Sequence, residues 1–157
     1  MVKKVILFFD VVLTGLIAGI VFGIWLGYNP IGLSAEAYVA QQQNAIRALN
    51  VLMPILGLIA TVLTLVLAFL RRQEKPVFYI LLLSALLLIV SGAVTRFGNQ
   101  SINAVVITWD LSSIPGEWEQ LRDQWWHYHI IRTLSTILAF TLLAWAAVFE
   151  RRPNFQS

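Results

Sequence analysis

The sequence predicts an all-α integral membrane protein: a single four-helix bundle with both termini cytoplasmic and two outer loops. Three observations predict it. Four apolar stretches, at about 5–28, 46–70, 76–98 and 124–149, match the roughly 20 helical residues that cross a hydrocarbon core. Hydrophobic residues make up 59% of the chain and charged residues 12%, against about 45–50% and about 25% in soluble domains. Runs such as Leu81–Val90 (LLLSALLLIV) do not alternate apolar with polar as a barrel strand would, so helices are the structure that satisfies the backbone in lipid. At 157 residues the chain has room for one domain, residues 1–157.

Basic residues set the expected orientation. Lys3, Lys4, Arg71, Arg72, Lys75, Arg151 and Arg152 fall on one side of four crossing spans, and Arg47, Arg96, Arg122 and Arg132 on the other. The positive-inside rule then puts both termini in the cytoplasm. This placement explains the net charge of +3 without nucleic acid, and none is expected as a partner. The chain has no cysteine, which excludes disulfides, thiolate chemistry and cysteine-ligated metal. The basic, apolar N-terminus (MVKKVILFF) reads as a retained anchor rather than a signal peptide, because its apolar run is long and no A-x-A site follows.

The first span carries Gly15, Gly19, Gly23 and Gly27, a four-residue repeat on one stripe of the helix. Such a stripe lets a neighbouring helix approach closely in lipid, so a membrane-protein partner is expected there; a flat ligand or pigment on the smooth stripe is the sharper alternative. Asp10 lies about two turns into this span, neutralised by Lys3 or Lys4 or protonated. Asn29-Pro30-Ile31-Gly32 ends the helix with turn chemistry. The second helix starts near Gln41 or later, with Gln43, Arg47, Asn50 and Pro54 on one face. Pro76 suits the first turn of the third helix, which carries Ser84, Ser91, Thr95 and Asn99 on one face to about Gly98. Asn99–Gln124 is the longest polar segment, with turns at Asp110–Ser113 and Pro115-Gly116, and the last helix begins near Trp118 or Gln124.

The unusual chemistry lies between Asn99 and Arg132. Four of the six tryptophans are here (Trp109, Trp118, Trp125, Trp126), with both histidines, His127 and His129. Interfacial placement explains the indoles in part. It does not explain Arg122, Trp125 or Trp126, His129, Arg132 and Thr136 descending one helical face. Arg132 falls roughly 12 Å beyond Gln124 along the helix, and a guanidinium at the centre of a span costs about 2.5–3.5 kcal/mol. It is expected to turn into the bundle, toward Asn50, Asn99, backbone carbonyls or Asp123. A network that locks the helices together and a pocket for an anionic or enolisable ligand both fit. His127 and His129 point roughly 200° apart on a helix, so the pair cannot hold one metal, and no metal ligand is assigned. No cofactor is expected, although a contact of one histidine with heme stays open. No G-x-S-x-G, P-loop, zinc or Rossmann motif occurs.

Five elements together form a family pattern: N-Q-S-I-N (Asn99–Asn103), Trp109-Asp110, P-G-E-W (Pro115–Trp118), L-R-D-Q-W (Leu121–Trp125) and H-I-I-R-T (His129–Thr133). With A-I-R-A-L-N-V-L-M-P (Ala45–Pro54) at the second helix, the chain resembles the anthrone-oxygenase-like family of small four-helix membrane proteins. The resemblance spans the layout of nearly the whole chain, and its specific content sits in about 35 residues. Fungal relatives oxidise an anthrone to an anthraquinone with dioxygen. The resemblance therefore implies a base, donors for an oxyanion and an apolar slot. It implies His129 as base and Arg132 as catalytic partner. Arg47, Asn50, Asn99, Asn103, Trp118, Arg122, Trp125 and Trp126 would bind the substrate, a hydrophobic aromatic ligand.

Three functions compete on the sequence. The first is an anthrone-oxygenase-like oxidoreductase, a cofactor-independent oxygenase or hydrophobic-ligand binder using an outer polar pocket. The second is a non-catalytic accessory or structural subunit of a larger membrane complex. The third is a small channel or transporter, for which Pro54 is the only interruption of a span. The expected location is a bacterial inner (cytoplasmic) membrane, crossed several times.

Overall fold

The computed structural model describes residues 1–149. They form an all-helical bundle: α1 (Val2–Gly27), a 3₁₀ turn (Pro30–Gly32), α2 (Ala35–Leu49), α3 (Leu52–Leu70), α4 (Lys75–Ala93), a π-helical segment (Val94–Asn99), α5 (Gln100–Val106) and α6 (Trp118–Phe149). Among the described residues four helical stretches are long and apolar enough to cross a membrane: Val2–Gly32, Leu52–Leu70, Lys75–Val106 and Trp118–Val148. These helices contact the lipid of a bilayer through their exposed apolar faces. Glu150, Arg151 and Arg152 lie outside the described residues.

Three apolar layers show how the spans run. Leu7, Leu67, Leu81 and Leu143 meet at one end. Ile17, Val21, Met53, Ala60, Leu88 and Ala139 meet in the middle. Tyr28, Ile46, Ile102, Val106, Trp125 and Trp126 meet at the other end. Residue numbers rise through α1 and α4 and fall through α3 and α6 in that order, so the spans alternate up and down, and each of the four packs on two others. The first layer lies at the basic end, where Lys3 contacts Glu74 at 3.8 Å and Arg71 contacts it at 3.3 Å. Asp10 is therefore not neutralised by Lys3 or Lys4. It is fully buried and accepts from the Thr64 hydroxyl at 2.9 Å and the Thr14 hydroxyl at 3.5 Å.

The other end, the loop end, departs from the expected spans. The second apolar stretch is not one helix. Ser34 caps α2 by accepting from the Ala37 N–H at 3.3 Å, with Glu36 in the first turn, so helix begins before Gln41. It breaks at Asn50–Val51 before α3. The third span does not stop at Gly98 but passes through the π-helical segment into α5. At Asp110 the chain turns, the carboxylate accepting from the Ser112 N–H and hydroxyl, both at 2.8 Å, which holds it below the usual carboxylate range.

The glycine stripe serves this chain at one position. A Cβ on Gly15 would lie 2.9 Å from Phe140 Cε2 of α6, whereas one on Gly19, Gly23 or Gly27 meets nothing within 4 Å. Close approach inside the bundle uses Gly15; the rest of the stripe faces outward.

Candidate functional site

Pro54 begins the first wall of the site. It has no N–H, so the carbonyl of Asn50, four residues earlier, lacks its helical donor. Gln100 replaces that donor, its Nε2 lying 2.8 Å from the Asn50 oxygen. Beside this bond a chain of side chains crosses from α1 to α5 and back to the break. The Tyr28 hydroxyl donates to Gln42 Oε1 at 2.9 Å, Gln42 Nε2 to Asn103 Oδ1 at 3.0 Å, and Asn103 Nδ2 to Asn50 Oδ1 at 2.8 Å. Gln43 fastens α2 over the end of α5, donating to the carbonyls of Val106 and Trp109 at 3.1 and 2.9 Å. The Trp109 carbonyl lies beyond the end of α5, and the Val106 carbonyl also accepts from the Trp109 N–H at 3.2 Å, so Gln43 secures the turn that follows the helix.

The second wall is α6. His129 is fully buried and stacks on Trp125, with centroids 5.1 Å apart and planes at 3°, and on Trp126 at 5.4 Å and 16°. Its Nε2 lies 3.1 Å from the Val21 carbonyl, which can only accept, so Nε2 carries the hydrogen and Nδ1 is an acceptor. Arg132 donates to that Nδ1 from Nε at 3.1 Å and Nη2 at 2.9 Å. A guanidinium has five N–H donors. Among the described residues Arg132 has no carboxylate within ion-pair distance. Its charge sits 5.8 Å from the centre of the Trp125 ring.

Two cavities meet at Arg132. The first, about 240 Å³, lies between the amide wall and α6; Tyr28, Gln42, Asn50, Asn99, Asn103 and Trp125 line it with apolar residues of α1 and α3. The second, about 230 Å³, lies farther along between α3 and α4. Val21, Met53, Pro54, Thr95, Gln100 and Arg132 border both. Each alone is below the roughly 300 Å³ of small ligand pockets, and the two together exceed it. No aspartate or glutamate lines either one. Next to the first cavity, Asn99 donates to the Trp125 carbonyl at 3.0 Å, while Asn99 Oδ1 and Trp125 Nε1 have no partner among the described residues.

The residues expected at the pocket divide into two groups. Asn50, Asn99, Asn103, Trp125 and Arg132 come together around the first cavity. His129 touches it only through Arg132, because both its nitrogens are engaged; a free base at this position is not what the geometry provides. Trp126 backs His129. Arg47 is exposed, contacting Gln43 Oε1 at 3.5 Å, and does not line the cavity. Arg122 is buried but pairs with Asp123 at 2.9 Å and lies 4.8 Å above the Trp118 ring. Asp123, a candidate partner for Arg132, is thereby taken by its chain neighbour. Trp118 packs on Tyr38, whose hydroxyl burial raises above the usual phenol range, away from the cavity. His127 is exposed. Tyr28, Gln42 and Gln100 were not singled out from the sequence. The signal was present in the polar residues of Gln41–Gln43 and Gln100, which need partners next to apolar spans.

This arrangement can hold a flat apolar body against α1 and α3, with an oxygen acceptor on the remaining guanidinium N–H groups. A buried guanidinium stabilises negative charge on such an oxygen more strongly than the same group in water.

Residues 43–142, more than half of the chain, match the family model described as anthrone oxygenase. The match runs from within α2 to within α6 and includes Asn50, Asn99, Asn103, Trp125, His129 and Arg132; Tyr28 and Gln42 fall before it. Comparison with curated proteins and with solved structures found no match.

Proposed function

We propose a function from one premise: the chain belongs to the anthrone oxygenase family. The loop-end cavity takes an enolisable aromatic ketone of the anthrone type and presents its anion to dioxygen. The observation that carries this reading is Arg132, a guanidinium in a membrane-spanning helix whose protein acceptor is a neutral imidazole rather than a carboxylate.

The ketone oxygen accepts from Arg132. As the central methylene loses a proton, charge moves onto that oxygen and its bond to the guanidinium strengthens, which lowers the barrier. The proton leaves to water at the loop end. The enolate carbon gives its electrons to dioxygen and forms a C–O bond, and the peroxide loses water. One dioxygen thus yields one new carbonyl and one water. His129 is a positioning residue: its Nδ1 fixes the guanidinium, and its Nε2–H ties α6 to α1. The amide wall of Gln42, Asn103 and Asn50 orients the far edge of the ligand.

Purified protein in mild detergent, given an anthrone in an oxygen electrode, should take up one dioxygen per anthrone with growth of quinone absorbance. Arg132→Gln should slow this by about 10²–10³. A rate equal to autoxidation without protein contradicts the reading.

The accessory-subunit reading keeps one observation, the outward glycines Gly19, Gly23 and Gly27 with open space around them. Stoichiometric co-purification of a second membrane protein, lost in Gly23→Leu, would support it. The positive-inside rule gives this reading and the enzymatic one the same orientation, termini in the cytoplasm and the cavity at the outer side of a bacterial inner membrane.

A further inference from the structure

The second cavity differs from the first in where it opens. Leu58, Leu88 and Ile89 line it, and Leu58, Ile89 and Gly92 are exposed on the flank of the bundle between α3 and α4. These positions lie within stretches that cross the membrane, so exposure there is exposure to acyl chains. Gly57 of α3 and Gly92 of α4 both line the cleft, and an added Cβ on either meets no atom within 4 Å.

The uncharged polar residues that line the cleft are Thr61, Ser91, Thr95, Gln100 and Thr136; Thr61 donates to the Gly57 carbonyl and Gln100 to that of Asn50, both at 2.8 Å. Thr136 donates to the Arg132 carbonyl at 2.7 Å, and the Ser91 hydroxyl lies 2.9 Å from the Thr136 oxygen and 3.3 Å from that carbonyl, either of which can accept its one hydrogen, so both hydroxyl hydrogens are committed inside the protein. The charged groups that face the space are both cations, Arg132 at its inner end and Arg96, which is exposed. An apolar channel open to lipid, ending on a guanidinium without a carboxylate, is complementary to one kind of molecule.

We propose that the α3–α4 cleft is a lateral doorway and seat for an amphiphile dissolved in the bilayer. Its single acidic or enolisable head docks on Arg132, and its hydrocarbon or fused-ring body lies between α3 and α4. The inference rests on the reading of Arg132 as the ligand anchor and adds the class of ligand: one delivered from the membrane rather than from water. A molecule entering this way reaches Arg132 without crossing the amide wall at the loop end.

Photolabelling in vesicles tests this. The protein is reconstituted in phosphatidylcholine with palmitic acid carrying a diazirine at mid-chain, irradiated, digested and mapped by mass spectrometry. Label is expected on Leu58, Thr61, Leu88 and Ile89. It should fall by at least about tenfold when the probe is the methyl ester, and likewise in Arg132→Gln, since each removes a charge-assisted hydrogen bond. Gly92→Trp, which fills the cleft and leaves the amide wall intact, should abolish it. The proposal is overturned if the ester labels the cleft as strongly as the acid, which is what an ordinary lipid chain resting in a groove would do. It is also overturned if labelling survives in Gly92→Trp. The ester comparison uses the native chain, so it stands even if Arg132→Gln fails to fold. Anthrone binding in detergent that depends on Asn103, without cleft labelling, would leave the pocket and remove the doorway. Cleft labelling without anthrone binding would leave the doorway and remove the anthrone.

Discussion

Arg132 and His129 support each other. Removing the neutral acceptor of a buried charged donor leaves that donor unsatisfied and costs about 1–3 kcal/mol, and more when the group left is charged. His129→Phe keeps a ring between Trp125 and Trp126 but removes the acceptor for Arg132 and the donor to Val21. It is expected to destabilise the protein by about 3 kcal/mol in a thermal-shift assay in detergent. Thr133→Val is the control. The Thr133 hydroxyl donates to the His129 carbonyl, at 2.7 Å within the same helix, and its loss should cost about 0.6 kcal/mol, the usual worth of such bonds in membranes. Equal losses in the two variants would contradict the role given to His129.

The break between α2 and α3 is an element made by one missing donor. Gln100→Leu leaves the Asn50 carbonyl without its substitute and should cost about 1–3 kcal/mol, whereas in Pro54→Ala the restored N–H makes Gln100 less needed. The double variant should therefore recover part of the loss, measured as a coupling energy of at least about 0.5 kcal/mol in a double-mutant cycle. The π-helical segment has its own test. A Cβ at Gly98 would lie 2.7 Å from Tyr128 Cγ, so Gly98→Ala should destabilise by about 1–3 kcal/mol. Gly23→Ala, with open space around it, should be neutral or stabilise by up to about 1 kcal/mol. These two elements are also where the sequence was least legible. Asn50 and Val51 keep right-handed helical dihedrals (φ −65°, ψ −23° and φ −100°, ψ −45°), so Pro54 is the one local signal of a break. Gln43 and Arg47 do share a face of α2, their side chains 3.5 Å apart, yet Gln43 is buried against the end of α5 and Arg47 is exposed. The π segment adds a residue to the turn, which no apolar periodicity reveals. Ser84 and Ser91 were readable because the helix is regular as far as Ala93 and both face α6, whereas Thr95 and Asn99 lie in the π-helical segment and still border the first cavity.

At the scale of the molecule the spans were legible because lipid leaves little choice: long apolar runs must be helices. The pairing of Arg122 with Asp123 was not, because it depends on which face of α6 turns in at each residue. The absence of cysteine makes the topology directly testable. Single cysteines at Gln73, in the α3–α4 turn, and at Ser112, between α5 and α6, should label oppositely in intact cells. Ser112→Cys should react with a membrane-impermeant maleimide at once and Gln73→Cys only after permeabilisation; the reverse pattern would contradict the positive-inside orientation.

The central claim is that the Arg132 guanidinium keeps donors for a ligand oxygen. Nitrogen-15 NMR of the arginine side chains in micelles, cooled to slow exchange, tests it most directly, with the Arg132 Nη–H signal assigned by its disappearance in Arg132→Lys. On titration with an anthrone that signal should shift and saturate together with ligand binding, while the Arg122 signal, held by Asp123, stays in place. A saturating ligand that leaves the Arg132 signal unmoved would contradict the claim.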